Sequence, residues 1–118
     1  MKKMKNEKLE SLIKELKKTS INEKVNIWKR IAKDLEKPSR IRRIVNLYNI
    51  NLNAKENEIV IVPGKILATG DLNKKITIAA YEISKQAEEK IKLSGSKLIS
   101  IEELIQKNPK GNKVRILG

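Results

Sequence analysis

Residues 76–81 read Ile-Thr-Ile-Ala-Ala-Tyr, apolar on both faces for part of their length. A strand with one face in water alternates apolar and polar side chains, so a strand of this kind has to be covered on both sides. It is expected at the centre of a sheet. A second strand, Glu-Ile-Val-Ile-Val at 58–62, precedes it; Pro63-Gly64 breaks it, 65–67 resume it, and Gly70-Asp71 supplies a turn. After residue 81, Ser84 is placed to cap a helix of about ten residues with Ala87 and Ile91 inward, ending near Ser94-Gly95. Residues 97–99 make a brief strand. Ser100 and Glu103 have capping-box spacing and open a short helix with Ile101, Leu104 and Ile105 on its apolar side. Asn108-Pro109 ends that helix, and residues 114–117 offer a last strand. The order ββαβαβ in short elements predicts a small α/β unit, read as a plain sheet with helices, behind the helical N-terminus.

The N-terminal third has helical periodicity instead. Leu9, Leu12, Ile13 and Leu16 follow the i, i+3, i+4, i+7 rule, which predicts an amphipathic helix over 1–18 with Asn6 as N-cap and lysines on its other face. A second helix is expected over about 21–36, opened by a Ser20/Glu23 capping box, with Ile21, Val25, Trp28, Ala32 and Leu35 in one stripe. Pro38 ends it. The two narrow stripes suggest an antiparallel pair, each helix burying the other. Residues 37–58 alternate apolar and polar side chains in a way that fits either a strand or a short helix, and read as a basic, irregular connection. A chain of 118 residues fits one domain, 1–118, with a helical part (1–36), the connection (37–58) and the α/β part (59–118).

Charge limits what such a fold can do. Twenty-seven Lys and Arg oppose fourteen Asp and Glu, a formal +13. Self-repulsion of that size destabilises a compact monomer and calls for a polyanionic partner. Nucleic acid and an anionic membrane surface are the two candidates. Packing of the N-terminal helices on each other uses up the apolar faces that membrane insertion needs. No apolar run is long enough to span a bilayer, and the basic start, MKKMKNEK, lacks the apolar stretch of a signal peptide. The chain is expected in the cytoplasm, without a membrane partner. Cys and His are both absent, which excludes disulfides, thiolate and imidazole metal sites, and Ser-His or Cys-His nucleophiles. The acidic pairs Glu88-Glu89 and Glu102-Glu103 lie in or near first helical turns, where the helix dipole accounts for them. No enzyme activity, cofactor, metal or small-molecule substrate is expected.

The excess charge is densest at residues 29–43. Lys29, Arg30, Lys33, Lys37, Arg40, Arg42 and Arg43 face only Asp34 and Glu36. Lys29 and Lys33 share a helix face, with Arg30 beside them, and the arginines continue past the proline. A solvated helix face and a loop would look the same in a neutral protein; with +13 to place, the cluster reads as a phosphate-binding surface. Lys65 follows Pro63-Gly64, but Ile66 stands where a P-loop needs Ser or Thr after its lysine, and spacing alone reads the string as a turn. Lys110, Lys113 and Arg115 stand among Asn, Pro and Gly, which fits an accessory RNA contact and a frayed end equally well. Aromatic residues are too few for base stacking: Trp28 lies on an apolar stripe, and Tyr48 suits a base or a packing role. A free-standing RNA- or DNA-binding protein, such as an RNA chaperone, satisfies all of this.

An ordered set of strings goes further. WKRIA (28–32), LEKPSR (35–40), VNL (45–47), IVIVPGKIL (59–67), GDL (70–72) and TIAA (77–80) are followed by S-x-x-A-x-x-K-I (84–91), LISIEE (98–103) and NPKGNKVRI (108–116). Together they resemble the large-subunit ribosomal protein family L-eighteen-e of archaea and eukaryotes, related to bacterial ribosomal protein L-fifteen. The resemblance runs from about residue 6 to the end. It implies a non-enzymatic structural role in the large ribosomal subunit, with ribosomal RNA and neighbouring large-subunit ribosomal proteins as partners, and a helical N-terminus before an irregular coil of β-β-α units. It also implies that Pro63-Gly64-Lys65 is more than a turn. The sequence departs from the family in having Glu7 after Asn6, where Pro is frequent, and in preferring lysine to arginine, 22 to 5.

Overall fold

The computed structural model describes residues 7–38 and 42–117. Among them, β2 (Ile59–Leu67) and β3 (Thr77–Ile83) form the centre of a five-stranded, all-parallel sheet. β4 (Lys97–Ile99) extends it beyond β3. The other edge of β2 is shared end to end: β5 (Val114–Ile116) pairs with residues 59–61, and β1 (Ile44–Asn46) with 65–67. The register with β3 shifts between Val62 and Lys65. Pro63 cannot donate to a ladder and is confined to edges and bulges. Here it occupies the gap that β5 and β1 leave, so residues 59–67 form one bulged strand rather than two segments around a turn.

The apolar runs are covered on both sides, as their composition requires. Val60, Val62, Ile66 and Ile78 pack with Leu47, Ile50, Ala87 and Ile91 on one face. Ile61 and Ala79 pack with Leu12, Leu16, Trp28, Ile31, Leu35, Ile101, Leu104 and Ile105 on the other. The first layer is built by α3 (Leu47–Asn53) and α4 (Lys85–Leu93), the second by α1 (Glu7–Glu23), α2 (Ile27–Glu36) and α5 (Ile101–Lys107). The class is α/β with an N-terminal helical pair, as expected. The parallel pairing of β2 and β3 was not legible. The chain must retrace roughly 26 Å of strand to begin β3 beside Ile59. Residues 68–76 do this, and nine residues reach about 30 Å only when nearly extended, so no crossover helix forms.

Several local expectations change. The predicted N-cap Asn6 lies outside the described residues. α1 runs on through Thr19 and Ser20, which are buried, and Ser20 Oγ donates to the Val25 carbonyl instead of capping a second helix. Asn26 takes the cap position of α2. Ile21 is accordingly 76% exposed, and Ile31 takes its place in the buried stripe. The stretch 37–58 contains both alternatives that its periodicity left open, a short strand and a short helix, joined where Asn49 Oδ1 accepts the Asn46 N–H at 3.3 Å. Ser84 and Ser100 cap α4 and α5 as expected, accepting from Ala87 N–H at 3.2 Å and Glu103 N–H at 3.0 Å.

Two contacts tie the C-terminal segment down. Trp28 is fully buried and its Nε1 donates to the Pro109 carbonyl at 2.7 Å, while Gly111 packs against Ile27 and the indole. Arg115 forks onto Glu58, with Nε to Oε1 at 2.9 Å and Nη2 to Oε2 at 3.1 Å. That hydrogen-bonded pair, with a further bond from the Lys55 N–H, lowers the Glu58 carboxyl from an ordinary 4.5 to about 2.

Trp28→Ala is expected to destabilise the protein by about 3–5 kcal/mol, and Trp28→Phe by about 1 kcal/mol from the lost hydrogen bond plus a smaller packing loss. Chemical denaturation checks both, and a cost for Trp28→Ala no larger than that of a surface substitution contradicts the packing. Because the folded Glu58 is more acidic than the unfolded one, its contribution is complete above pH 4.5 and disappears as pH falls towards 2. Glu58→Gln should therefore flatten the stability profile between those two values while leaving its shape near neutrality unchanged.

Candidate nucleic-acid interface

The surface begins on α2. Burial of Trp28, Ile31, Ala32 and Leu35 turns Lys29, Arg30 and Lys33 outward, and all three are exposed. Lys29 and Lys33 also line a groove between α1 and α2 with Lys17, Ser20, Ile21 and Glu36. Lys17 reaches across it to Glu36 at 2.7 Å. Lys17 was readable as one of the lysines on α1, but nothing in the sequence places it beside α2. Lys37 follows the helix, exposed, with Asp34 at 3.4 Å.

α2 is anchored at both ends. Its start is fixed by Trp28 against Pro109, just before β5, and its end by Arg42, just before β1. The Arg42 guanidinium turns inward: Nη2 donates to the Leu35 carbonyl at 3.0 Å, and the group lies 5.1 Å from the centre of the Tyr81 ring. Its Nε is buried without a hydrogen-bond partner among the described residues. A cation at the last turn of a helix meets the negative end of the dipole, and Arg42 thereby joins α2 to the carboxyl end of the sheet.

Arg43 and Lys65 meet at that end. The Lys65 N–H donates to the Arg43 carbonyl at 3.1 Å, and both side chains are exposed. Gly64 makes this approach possible. A Cβ there would stand 2.1 Å from the Arg43 carbonyl oxygen, closer than any side chain tolerates. The Pro63-Gly64-Lys65 string is thus a bulge that seats the backbone of one exposed cationic residue on that of another. Ile44, Lys65 and Glu82 are register neighbours and all exposed.

The remaining expected contacts are dispersed. Arg40 lies outside the described residues. Lys110 and Lys113 are exposed near the opposite end of α2, on the turn beside Trp28 and just before β5. The tail is ordered through Leu117, which donates to the Ile61 carbonyl at 3.1 Å. Arg115 is held by Glu58. The fold therefore joins Lys29, Arg30, Lys33, Lys37, Arg43 and Lys65 along one helix and the sheet end it reaches, and turns Arg42 and Arg115 to internal partners. Among the described residues, no three metal-ligating side chains cluster, and no helix is long and apolar enough to cross a membrane.

Comparison with known proteins shows the family to which the chain belongs. The family profile described as "Ribosomal protein 60S L18 and 50S L18e" matches residues 3–118. A large ribosomal subunit protein eL18 from Pyrobaculum aerophilum is 44% identical over 112 residues, which cover 95% of this chain and 92% of the relative. Those of Methanococcus maripaludis (42% over 113 residues; 96% and 94%) and Archaeoglobus fulgidus (40% over 112; 95% and 96%) are similarly close. The chain belongs to the family of ribosomal proteins 60S L18 and 50S L18e.

Proposed function

We propose that the protein is a structural constituent of the large subunit of the cytoplasmic ribosome, without catalysis of its own, and that it binds ribosomal RNA through phosphates along α2 and the carboxyl end of the sheet. The family and its relatives, named as large ribosomal subunit proteins, support the first part. The observation that carries the second is the exposure of Lys29, Arg30 and Lys33 on α2 together with Arg43 and Lys65 at the sheet end to which Arg42 ties that helix. None of these five is ion-paired among the described residues. Unpaired cations release the counterions of a phosphate chain on contact, which is what drives binding of this kind. Lys37, beside Asp34, and Lys110 and Lys113, at the far end of α2, are secondary contacts in this reading. Arg42 and Arg115 contribute by holding the frame.

Affinity of the isolated protein for structured large-subunit RNA should fall on the order of a thousandfold between about 50 and 200 mM salt if six or more phosphates are engaged. A nearly flat response contradicts phosphate binding. The triple variant Lys33→Glu/Arg43→Glu/Lys65→Glu should lower the slope of log affinity against log salt by roughly 2–3 and exclude the protein from large subunits in cells. Lys55→Glu/Lys75→Glu/Lys97→Glu, of equal charge change and near the amino ends of β2, β3 and β4, should change incorporation far less. Equal losses in the two variants contradict the localisation. Lys90 is no fit member of a control, because its Nζ donates to the Ala68 and Gly70 carbonyls at 2.9 Å each.

A further inference from the structure

The outer sides of α1, α2, α4 and α5 carry charged residues, as solvent-facing helix sides normally do. α3 does not. From residue 44 to residue 54 the chain runs eleven residues without a charge, the longest such run in the sequence. The next longest, 59–64 and 76–81, belong to the central strands. On α3, Leu47 and Ile50 face the core, while Tyr48 and Leu52, one turn apart, are 60% and 64% exposed.

The three asparagines of α3 are each bonded to backbone, Asn49 and Asn53 to that of the helix and its cap and Asn51 to that of the neighbouring loop. Asn53 Nδ2 donates to the Asn49 carbonyl at 2.8 Å, Asn49 Oδ1 accepts from Asn46, and Asn51 Oδ1 accepts the Asn73 N–H at 2.8 Å. The loop beside the helix is fixed as well. The Tyr48 N–H donates to the Thr69 carbonyl at 3.0 Å. Gly70, at φ +93°, lies so close to Tyr48 that a Cβ would stand 2.6 Å from the tyrosine Cβ. Lys90 holds two carbonyls of that loop, with the exposed Asp71 carboxylate 3.8 Å from its Nζ. The result is a preformed apolar face with a carboxylate at its rim.

Charge selects among possible occupants. A polyanion finds no cation on α3 itself. Of the two lysines at its border, Lys74 donates to the Ala54 carbonyl, and Lys90 to two loop carbonyls beside the far more exposed Asp71 carboxylate. A second copy of this chain brings another formal +13 against the first. Tyr48 and Leu52 also offer far less than the roughly 800 Å² per partner of a stable isolated pair. A small neutral face instead suits a partner already held nearby. It is also where two basic proteins embedded in one RNA can touch without repulsion.

We infer that the α3 face docks a neighbouring basic protein of the assembled large subunit, which sets an apolar side chain against Tyr48 and Leu52 and a Lys or Arg against Asp71. This rests on the ribosomal reading above. The test places the photo-crosslinking residue p-benzoylphenylalanine at Leu52, and separately at Lys65, in protein expressed in cells, and irradiates purified large subunits. The Leu52 adduct should survive ribonuclease, be shortened by protease, and contain a second, net-basic chain; the Lys65 adduct should be lost with ribonuclease. A Leu52 adduct with RNA, with a second copy of this chain or with an acidic protein overturns the inference. So does its absence from subunits in which Lys65 crosslinks. A protein adduct at Leu52 without an RNA adduct at Lys65 leaves the docking face standing and removes the phosphate surface, and exclusion of both proteins from subunits overturns both readings. The same probe at Asn53, also exposed on α3, takes the place of Leu52 if that substitution alone lowers incorporation.

Discussion

The rest of the molecule is arranged around β2. It has sheet partners on both edges, at 59–61 and 65–66, and side chains packed on both faces. Among the described residues, no other strand has both edges paired along so much of its length. β3 lies along one side, while β5 and β1 meet end to end along the other and leave the gap that Pro63 requires. The helices of both layers pack on what β2 and β3 present: Ile61 and Ala79 to α1, α2 and α5; Val60, Val62, Ile66 and Ile78 to α3 and α4. A parallel sheet needs helical cover on both faces, and the apolar side chains of β2 and β3 on either side hold that cover in place.

The basic surface follows from that frame. α2 is pinned at one end by the Trp28–Pro109 hydrogen bond and at the other by Arg42 between the Leu35 carbonyl and the Tyr81 ring. Its cations therefore lie in a fixed relation to Arg43 and Lys65, whose proximity depends on a glycine without a Cβ at position 64. Two of the expected RNA-contacting arginines, Arg42 and Arg115, serve as internal connections. A guanidinium fork suits a carboxylate or a helix-end carbonyl as well as it suits phosphate, and a sequence holds no sign of which it meets.

Most elements were legible because their signals are local. The runs at 59–62 and 76–81, the caps Ser84 and Ser100, and the stop at Asn108-Pro109 depend on neighbours within a few residues. Three features depended on distant ones. Ser20 has the spacing of an N-cap, but its burial and its bond to Val25 keep it inside α1, and this turns Ile21 out of the predicted stripe. The short elements β1 and α3 lie in a stretch whose alternation suited either state, and pairing with β2 decided the strand. Parallel pairing of β2 with β3 was hidden because a nine-residue extended return looks like an ordinary loop. The resemblance to the ribosomal family was readable from ordered strings, whereas the distribution of cations over the surface needed the fold.

The central claim is that one side of this protein, from α2 to the carboxyl end of the sheet, lies against RNA in the large subunit. Quantitative lysine acetylation of intact subunits and of the free protein, read by peptide mass spectrometry, tests it most directly. The account predicts that Lys29, Lys33 and Lys65 lose reactivity in the subunit and regain it when the RNA is digested, while Lys55, Lys75 and Lys97 change less. Equal reactivity of Lys29, Lys33 and Lys65 in the subunit and in the free protein, with protection at the other three, would contradict it.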